Sequence, residues 1–231
     1  MINLSVIVPI YNEEELLVKS INRLLENNIF DQIILVDNNS TDDSFNFAKK
    51  ISDENLNVNV YKSNNEQGKG VAVLNGLEYV LTSHVVIHDA DLEYFPIDII
   101  DMFNLSKDYP NDLILGSRVI GDKPRKNVYQ LAKLANYFLS FLFSLLNRVK
   151  VTDIASCYKL MPVEFLKDCN LKQKGFGIDL EIVSNFIKSG RKIIETPIRY
   201  EGRSFEQGKK ISSKDFFKYV INIFKFRFTK T

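Results

Sequence analysis

Short, unbroken apolar runs recur through the first half of the chain, each separated from the next by a segment with helical spacing. LSVIVP (Leu4–Pro9), QIILV (Gln32–Val36), VVIH (Val85–His88) and Leu113–Gly116 have strand length and no polar alternation, and Val58–Tyr61 reads as a further strand. A strand that is apolar on both faces has to be covered on both faces, which is the condition of a mostly parallel sheet between layers of helices. The intervening segments supply those helices: Glu13–Leu25, the stretch carrying Phe45, Ala48 and Ile51, and Gly70–Leu81. The fold class is therefore α/β, a Rossmann-like sheet, mostly parallel and mixed, flanked by helices. In such sheets ligands sit just beyond the carboxyl ends of strands. The polar clusters Tyr11–Glu14, Asp37–Asp42 and Asp89–Glu93 fall there.

After Gly121 the pattern changes. Lys123–Lys126 reads as a polar loop, Leu131–Leu146 as a strongly apolar helix, Ser156–Met161 as a strand and Asp179–Lys188 as a helix. Arg191–Pro197 reads as a further strand, Tyr200–Lys210 as a loop and Lys214–Phe228 as a basic, Phe-rich helix. The 231 residues suit a single domain over 1–231, divided into 1–120, 121–211 and a terminal helix in 212–231.

Composition narrows the partners. A net charge of +1 rules out a nucleic-acid-binding polycation, although basic residues outnumber acidic ones from Arg199 onward. The two cysteines, Cys157 and Cys169, make no disulfide framework and fit a reducing compartment. No basic region or cleavage site follows Met1, so no signal peptide is expected. The apolar run Leu131–Leu146 is interrupted by Lys133, Asn136, Ser140 and Ser144, and falls short of the ~20 residues that cross a bilayer.

Asp89, Asp91 and Glu93 stand at i, i+2 and i+4 where a buried strand ends. Carboxylates so spaced can converge on one hard cation, which takes its remaining ligands from phosphates and water. They read equally well as an acidic loop ahead of the helix that follows Pro96. Asp37 ends the second strand, where it could accept bonds from a base or ribose or simply cap the next helix. Gly68-Lys69-Gly70 opens a helix, and its lysine could meet a phosphate at the positive helix end. It is not a Walker loop, and no GxGxxG follows the first strand, which excludes a dinucleotide-binding oxidoreductase.

Taken together, VIVPIYNEE (Val6–Glu14), LVDNNSTDDS (Leu35–Ser44), EQGKG (Glu66–Gly70) and HDADLEYFP (His88–Pro96) resemble glycosyltransferase family 2 in order and spacing. GSR (Gly116–Arg118), VTDIASCYKLM (Val151–Met161), FGIDLEI (Phe176–Ile182) and YEGRSFEQGKKI (Tyr200–Ile211) extend the resemblance toward dolichol-phosphate mannose synthases and bacterial polyprenyl-phosphate sugar synthases. The resemblance implies a GT-A fold, with a nucleotide-sugar-binding half in 1–120 and an acceptor-binding half in 121–211. By the same resemblance, Pro9, Tyr11, Glu13, Asp37, Lys69 and Asp89 form the donor pocket, and Asp89, Asp91 and Glu93 hold Mg²⁺ or Mn²⁺. Catalysis falls to Asp91, Arg118, Asp179, Glu181 and Arg203, with Arg203, Lys209 and Lys210 on an acceptor phosphate. Asn38 stands where the family has a second carboxylate. Asn39 stands where it has a glycine, and asparagine tolerates the left-handed backbone better than most residues.

The implied reaction is inverting transfer of a hexose from a GDP- or UDP-sugar to a polyprenyl phosphate at the cytoplasmic membrane face. A lipid phosphate, with a second pKa of ~6, is already ionised and needs no protein base, whereas a sugar hydroxyl does. Asp179 and Glu181 read either as acidic groups near the acceptor or as helix N-terminal carboxylates. Transfer to a glycan hydroxyl is the alternative, and a non-catalytic nucleotide-sugar-binding protein a more distant one. The two apolar helices read as peripheral membrane contacts, as core, or as the interface with a membrane-protein partner or a second copy.

Overall fold

The computed structural model describes residues 2–64, 66–203 and 213–229. The first half runs β1 (Leu4–Ile10), α1 (Leu17–Leu25), β2 (Gln32–Asp37), α2 (Ser44–Glu54), β3 (Val58–Lys62), α3 (Lys69–Glu78), β4 (His84–Ile87), α4 (Asp98–Asp108) and β5 (Leu113–Ser117). The second half adds β6 (Arg125–Lys126), α5 (Gln130–Asn147), β7 (Lys159–Pro162), α6 (Val163–Asp168), α7 (Ile178–Lys188), β8 (Ile193–Pro197), β9 (Tyr200–Glu201) and α8 (Ser213–Phe228).

Seven strands form one sheet in the order β3-β2-β1-β4-β7-β5-β8. All neighbours are parallel except β7, which is antiparallel to both β4 and β5. The mixed sheet of the expected fold class is thus present, and its single reversed strand comes from the second half of the chain. Every residue of β2 is buried, as is every residue of β1 except half-buried Pro9. Their continuous apolar character reflects cover on both faces. Ile10 pairs with Asp37, and Asp37 with Lys62, so β1, β2 and β3 end level. Strand order reverses at β1, between β2 and β4, and the crevice at such a switch point is the expected ligand position.

Some boundaries depart from the periodicity. Helix α1 begins at Leu17 rather than at Glu13, because the chain before it is tied to the loop after β2. The backbone N–H groups of Asn12, Glu13 and Glu14 donate to Ser40 Oγ, Ser44 Oγ and Asp42 Oδ2. Strand β7 begins at Lys159 rather than Ser156, since the Cys157 N–H is taken by the Tyr94 hydroxyl at 3.0 Å. Parts of the expected loops Lys123–Lys126 and Tyr200–Lys210 pair instead, as the two-stranded parallel sheet β6-β9.

Helix α3 lies close over β1 and β2 because Gly76 lacks a side chain. A Cβ there would stand 2.7 Å from Ile7 Cγ2 and 3.1 Å from Val36 Cγ2. Gly76→Leu is expected to lower stability by about 1–3 kcal/mol through overpacking, despite leucine's better helix propensity. A urea midpoint that falls at unchanged slope would register the loss.

Candidate active site

The carboxylate cluster is carried on the exit of β4. His88, the first residue past that strand, is buried, with Nε2 3.2 Å from Ser20 Oγ and Nδ1 2.9 Å from the Tyr158 hydroxyl. Burial pushes its pKa down to about 4, so the imidazole is a neutral support. Beyond it Leu92 adopts φ 63°, a left-handed conformation rare for a branched side chain. The chain turns there, and Asp91 Oδ1 accepts the Glu93 N–H at 3.1 Å.

Each carboxylate meets a different partner. Asp89 pairs with Lys69 Nζ at 3.0 Å, and Lys69 also reaches Asp179 Oδ2 at 3.1 Å. Burial would lower the Lys69 pKa, but the charges of Asp179 and Asp89 reverse this and raise it well above its usual value. Burial works to raise the Asp89 pKa, and Lys69 holds it below the ordinary carboxylate value. Asp91 is pushed up to about 7 by burial and by the neighbouring charges of Asp89 and Glu93, against the pull of Arg203. Arg203 spans the crevice, 3.1 Å from Glu13 Oε2 and 3.3 Å from Asp91 Oδ2. Its backbone N–H donates to Glu93 Oε1 at 2.7 Å, and the Tyr200 hydroxyl donates to Glu93 Oε2 at 2.7 Å.

The metal set expected from the sequence is not assembled in that form. Among the described residues no three His, Cys, Asp or Glu side chains converge as a cage. Glu93 is buried, and both its oxygens accept protein donors, so it organises the Tyr200–Arg203 segment. Asp89 and Asp91 remain as a pair of hard oxygen donors. Asp91 retains excess negative charge around it, as its raised pKa registers. Two carboxylates with phosphate oxygens completing the shell suit Mg²⁺ or Mn²⁺, so these residues fit a divalent cation.

On the nucleotide side, Asp37 is buried at the end of β2, where Oδ2 accepts the Ser40 N–H at 3.3 Å. Asp37 Oδ1 and Asn38 Oδ1 are buried with no partner, two acceptors that a bound base or ribose could satisfy. Asn39 takes the left-handed backbone at φ 62°, so it meets the requirement met by glycine in the family pattern. Pro9 is half-buried and Tyr11 exposed on the same strand edge, whereas Glu13 is committed to Arg203.

The two acidic residues of α7 have distinct surroundings. Asp179 is ion-paired to Lys69 and Lys159. Glu181 accepts the backbone N–H groups of Lys172 and Gln173, at 3.0 Å and 2.9 Å through Oε2. That loop lies against the turn before α3, where a Cβ on Gly68 or Gly70 would collide with the carbonyl oxygens of Lys174 and Gln173. Lys209 and Lys210 lie outside the described residues.

A second feature gathers around Arg118, which the family resemblance places among the catalytic residues, whereas its neighbours there were not legible as a site. Arg118 forms a two-pronged pair with Asp153, Nε to Oδ2 at 2.7 Å and Nη2 to Oδ1 at 2.8 Å. Asn136 also donates to Asp153 Oδ1 at 2.9 Å, and the Arg118 guanidinium lies 4.8 Å from the Tyr200 ring centre. Arg118 therefore has a fixed orientation. It lines a shallow, open recess of about 50 Å³ together with Arg125, Lys133, Asn136 and Tyr200. Arg125 Nε and Asn136 Oδ1 are buried there without partners. The sequence signals were slight: a basic residue in the Lys123–Lys126 loop and an interrupted apolar run.

Comparison with known proteins bears on the family and the fold. The profile of glycosyl transferase family 2 matches residues 5–169. The UDP-N-acetylglucosamine–dolichyl-phosphate N-acetylglucosaminyltransferase of Methanococcus voltae is 31% identical over 214 residues, covering 84% of this chain and 83% of that protein. The undecaprenyl-phosphate mannosyltransferase of Micrococcus luteus is 24% identical over 209 residues, covering 88% and 85%. The crystal structure of glucosyl-3-phosphoglycerate synthase from Mycobacterium tuberculosis, in complex with Mn²⁺, UDP and glucosyl-3-phosphoglycerate, superposes with a TM-score of 0.74. It is 16% identical, and the match covers 100% of this chain and 81% of that one. With its GT-A fold and the family's pattern matched over most of its length, this chain belongs to glycosyl transferase family 2.

Proposed function

We propose that this glycosyltransferase moves a sugar from a nucleoside-diphosphate donor to the phosphate of a polyprenyl lipid, with inversion, at a membrane surface. The observation that carries the acceptor half of this reading is the basic recess of Arg118, Arg125 and Lys133, whose lining residue Tyr200 also bonds Glu93 of the carboxylate cluster. The unpartnered Arg125 Nε–H, buried beside the fixed Arg118 guanidinium, suits a phosphate better than a neutral sugar. Two relatives whose names specify polyprenyl-type phosphates as acceptors support the same choice.

The recess opens beside α5, and that helix is unusual in what it leaves exposed. Leu131, Leu134, Phe138, Phe141 and Leu145 follow one another along one exposed stripe. Helix α8 packs against α5, with Phe138 and Phe216 ring centres 6.1 Å apart, and exposes Phe217, Ile221, Phe224 and Phe228. Lys133, Arg148, Lys225 and Arg227 accompany these apolar positions. No helix of the described residues is long and apolar enough to cross a membrane. An apolar stripe with basic neighbours suits a helix lying in the interface of an anionic bilayer. A lipid lying along α5 would bring its phosphate to the recess.

The donor's diphosphate belongs at the β4 exit. Lys69 at the start of α3 and Arg203 across the crevice offer positive charge there, already held in place by Asp179 and Glu13. Asp89 and Asp91 would hold a divalent cation, which would supply Lewis-acid charge against the departing diphosphate. The acceptor phosphate is ionised at neutral pH and can attack from the opposite face without a protein base. Preorganised cations on both sides of the reacting carbon then carry the catalysis.

Three outcomes check this reading. Asp91→Asn is expected to abolish release of nucleoside diphosphate while far-UV circular dichroism stays that of the folded chain. Arg125→Ala is expected to raise the KM for a short-chain polyprenyl phosphate about tenfold, the size of one lost charge-assisted hydrogen bond, with little change in donor KM. The decisive readout is labelled sugar in a lipid-extractable product, and labelling of a soluble oligosaccharide instead would overturn the acceptor assignment. Leu134→Glu with Phe141→Glu is expected to release the protein from sedimenting anionic phospholipid vesicles.

A further inference from the structure

Lys159 lies in the middle of the molecule, on the reversed strand β7, and its side chain is wholly buried. A buried ammonium is retained only where several partners compensate it. Here Nζ donates to the Ser156 carbonyl and lies 3.1 Å from Asp179 Oδ1. The other oxygen of the same carboxylate, Oδ2, lies 3.1 Å from Lys69 Nζ, which in turn meets Asp89 Oδ1 at 3.0 Å. The four groups alternate in sign, Lys159, Asp179, Lys69, Asp89, and their formal charges cancel. They also tie four elements together: β7, α7, the start of α3 and the exit of β4.

From this we infer that Lys159 and Asp179 are positioning residues that hold the Lys69 ammonium beside Asp89, and that Asp179 moves no proton. A general base needs a lone pair directed at the acceptor, and each Asp179 oxygen is directed at an ammonium. Lys69 has four carbons of freedom and could collapse onto either carboxylate. With Lys159 sharing Asp179, Lys69 is divided between Asp179 and Asp89 rather than drawn wholly to one. Glu181 steadies the same lysine from the backbone side, since the loop it holds presses on Gly68 and Gly70. The inference deepens the proposed function, because it rests on reading the Asp89 edge as the site of the donor diphosphate.

The test is titration with UDP and with GDP, each with Mg²⁺, alongside donor KM and kcat for the full chain. Lys159→Met is expected to weaken binding of the preferred nucleotide about tenfold, as for one misplaced charge-assisted contact, and to lower kcat at saturating donor by a smaller factor. Lys159→Arg, which keeps the charge, should recover most of that affinity. Asp179→Asn should weaken nucleotide binding in the same way without abolishing transfer, and should also lower the thermal midpoint by leaving two buried ammonium groups facing a neutral amide. The double variant Lys159→Met with Asp179→Asn should regain part of that midpoint while its affinity stays weak, which a purely structural role would not produce. Lys159→Met that binds nucleotide like the wild type overturns the inference. So does Asp179→Asn that binds normally yet transfers nothing, since that is the behaviour of a base. Wild-type protein that takes up neither nucleotide removes the donor-site reading itself, and the inference with it.

Discussion

Asp89, Asp91, Glu93 and Asp179 crowd the carboxyl end of β4, and a folded interior can hold so many carboxylates only if each meets a cation or a hydrogen-bond donor. Those partners come from distant parts of the chain. Lys69 arrives from the start of α3, Lys159 from β7, and Arg203 from beyond β9. The charge requirement therefore does more than stabilise. It fixes how the half of the chain before Gly121 meets the half after it, along the exit of β4 where β7 enters the sheet. Removing one member leaves an uncompensated charge, which costs far more than the pair itself contributes.

The same requirement accounts for the form of the second half. Strand β7 enters the sheet antiparallel between β4 and β5. That direction carries Ser156, Cys157 and Lys159 under the β4 exit, and the Cys157 N–H meets Tyr94 there. The small sheet β6-β9 then lays Tyr200 on Glu93 and beside Arg118. A single tyrosine thus borders both the carboxylate cluster and the basic recess, so the two sites are held in fixed relation. Tyr94, packed 5.3 Å from Tyr200 and 4.8 Å from Tyr158, backs this arrangement with aromatic contacts rather than charge.

Much of the fold was legible because buried parallel strands leave a plain mark. LSVIVP and QIILV could hardly be anything else, and the polar residues at their ends point to the ligand edge. The start of α1 was not legible, because it depends on side chains of the next loop capturing three backbone N–H groups. Two-residue strands such as β6 and β9 carry no periodicity at all. The candidate site divides similarly. Clustered carboxylates are visible in a sequence, but their partners are not. Glu93 has the spacing of a metal ligand, and only the fold brings Tyr200 and the Arg203 N–H onto its oxygens. Asp153 reads as a turn residue until Arg118 is seen gripping it. Lys159 gives no signal, since a lysine in an apolar run looks like an edge or an interruption.

These engagements bear on the chemistry of the acceptor. A sugar hydroxyl would require a carboxylate free to take its proton, and the two acidic residues of α7 are the ones best placed by sequence. Asp179 has an ammonium on each oxygen, and Glu181 accepts two backbone N–H groups. In the proposed arrangement both serve the placement of Lys69 on the donor side. A phosphate acceptor, already ionised, removes the need for any such base, and what it requires instead is oriented positive charge. Arg118, locked by Asp153 and stacked over Tyr200, supplies that, with Arg125 and Lys133 lining the same recess. The disposition of acids and bases thus suits a site that gathers a diphosphate and a phosphate around one sugar better than one that deprotonates an alcohol.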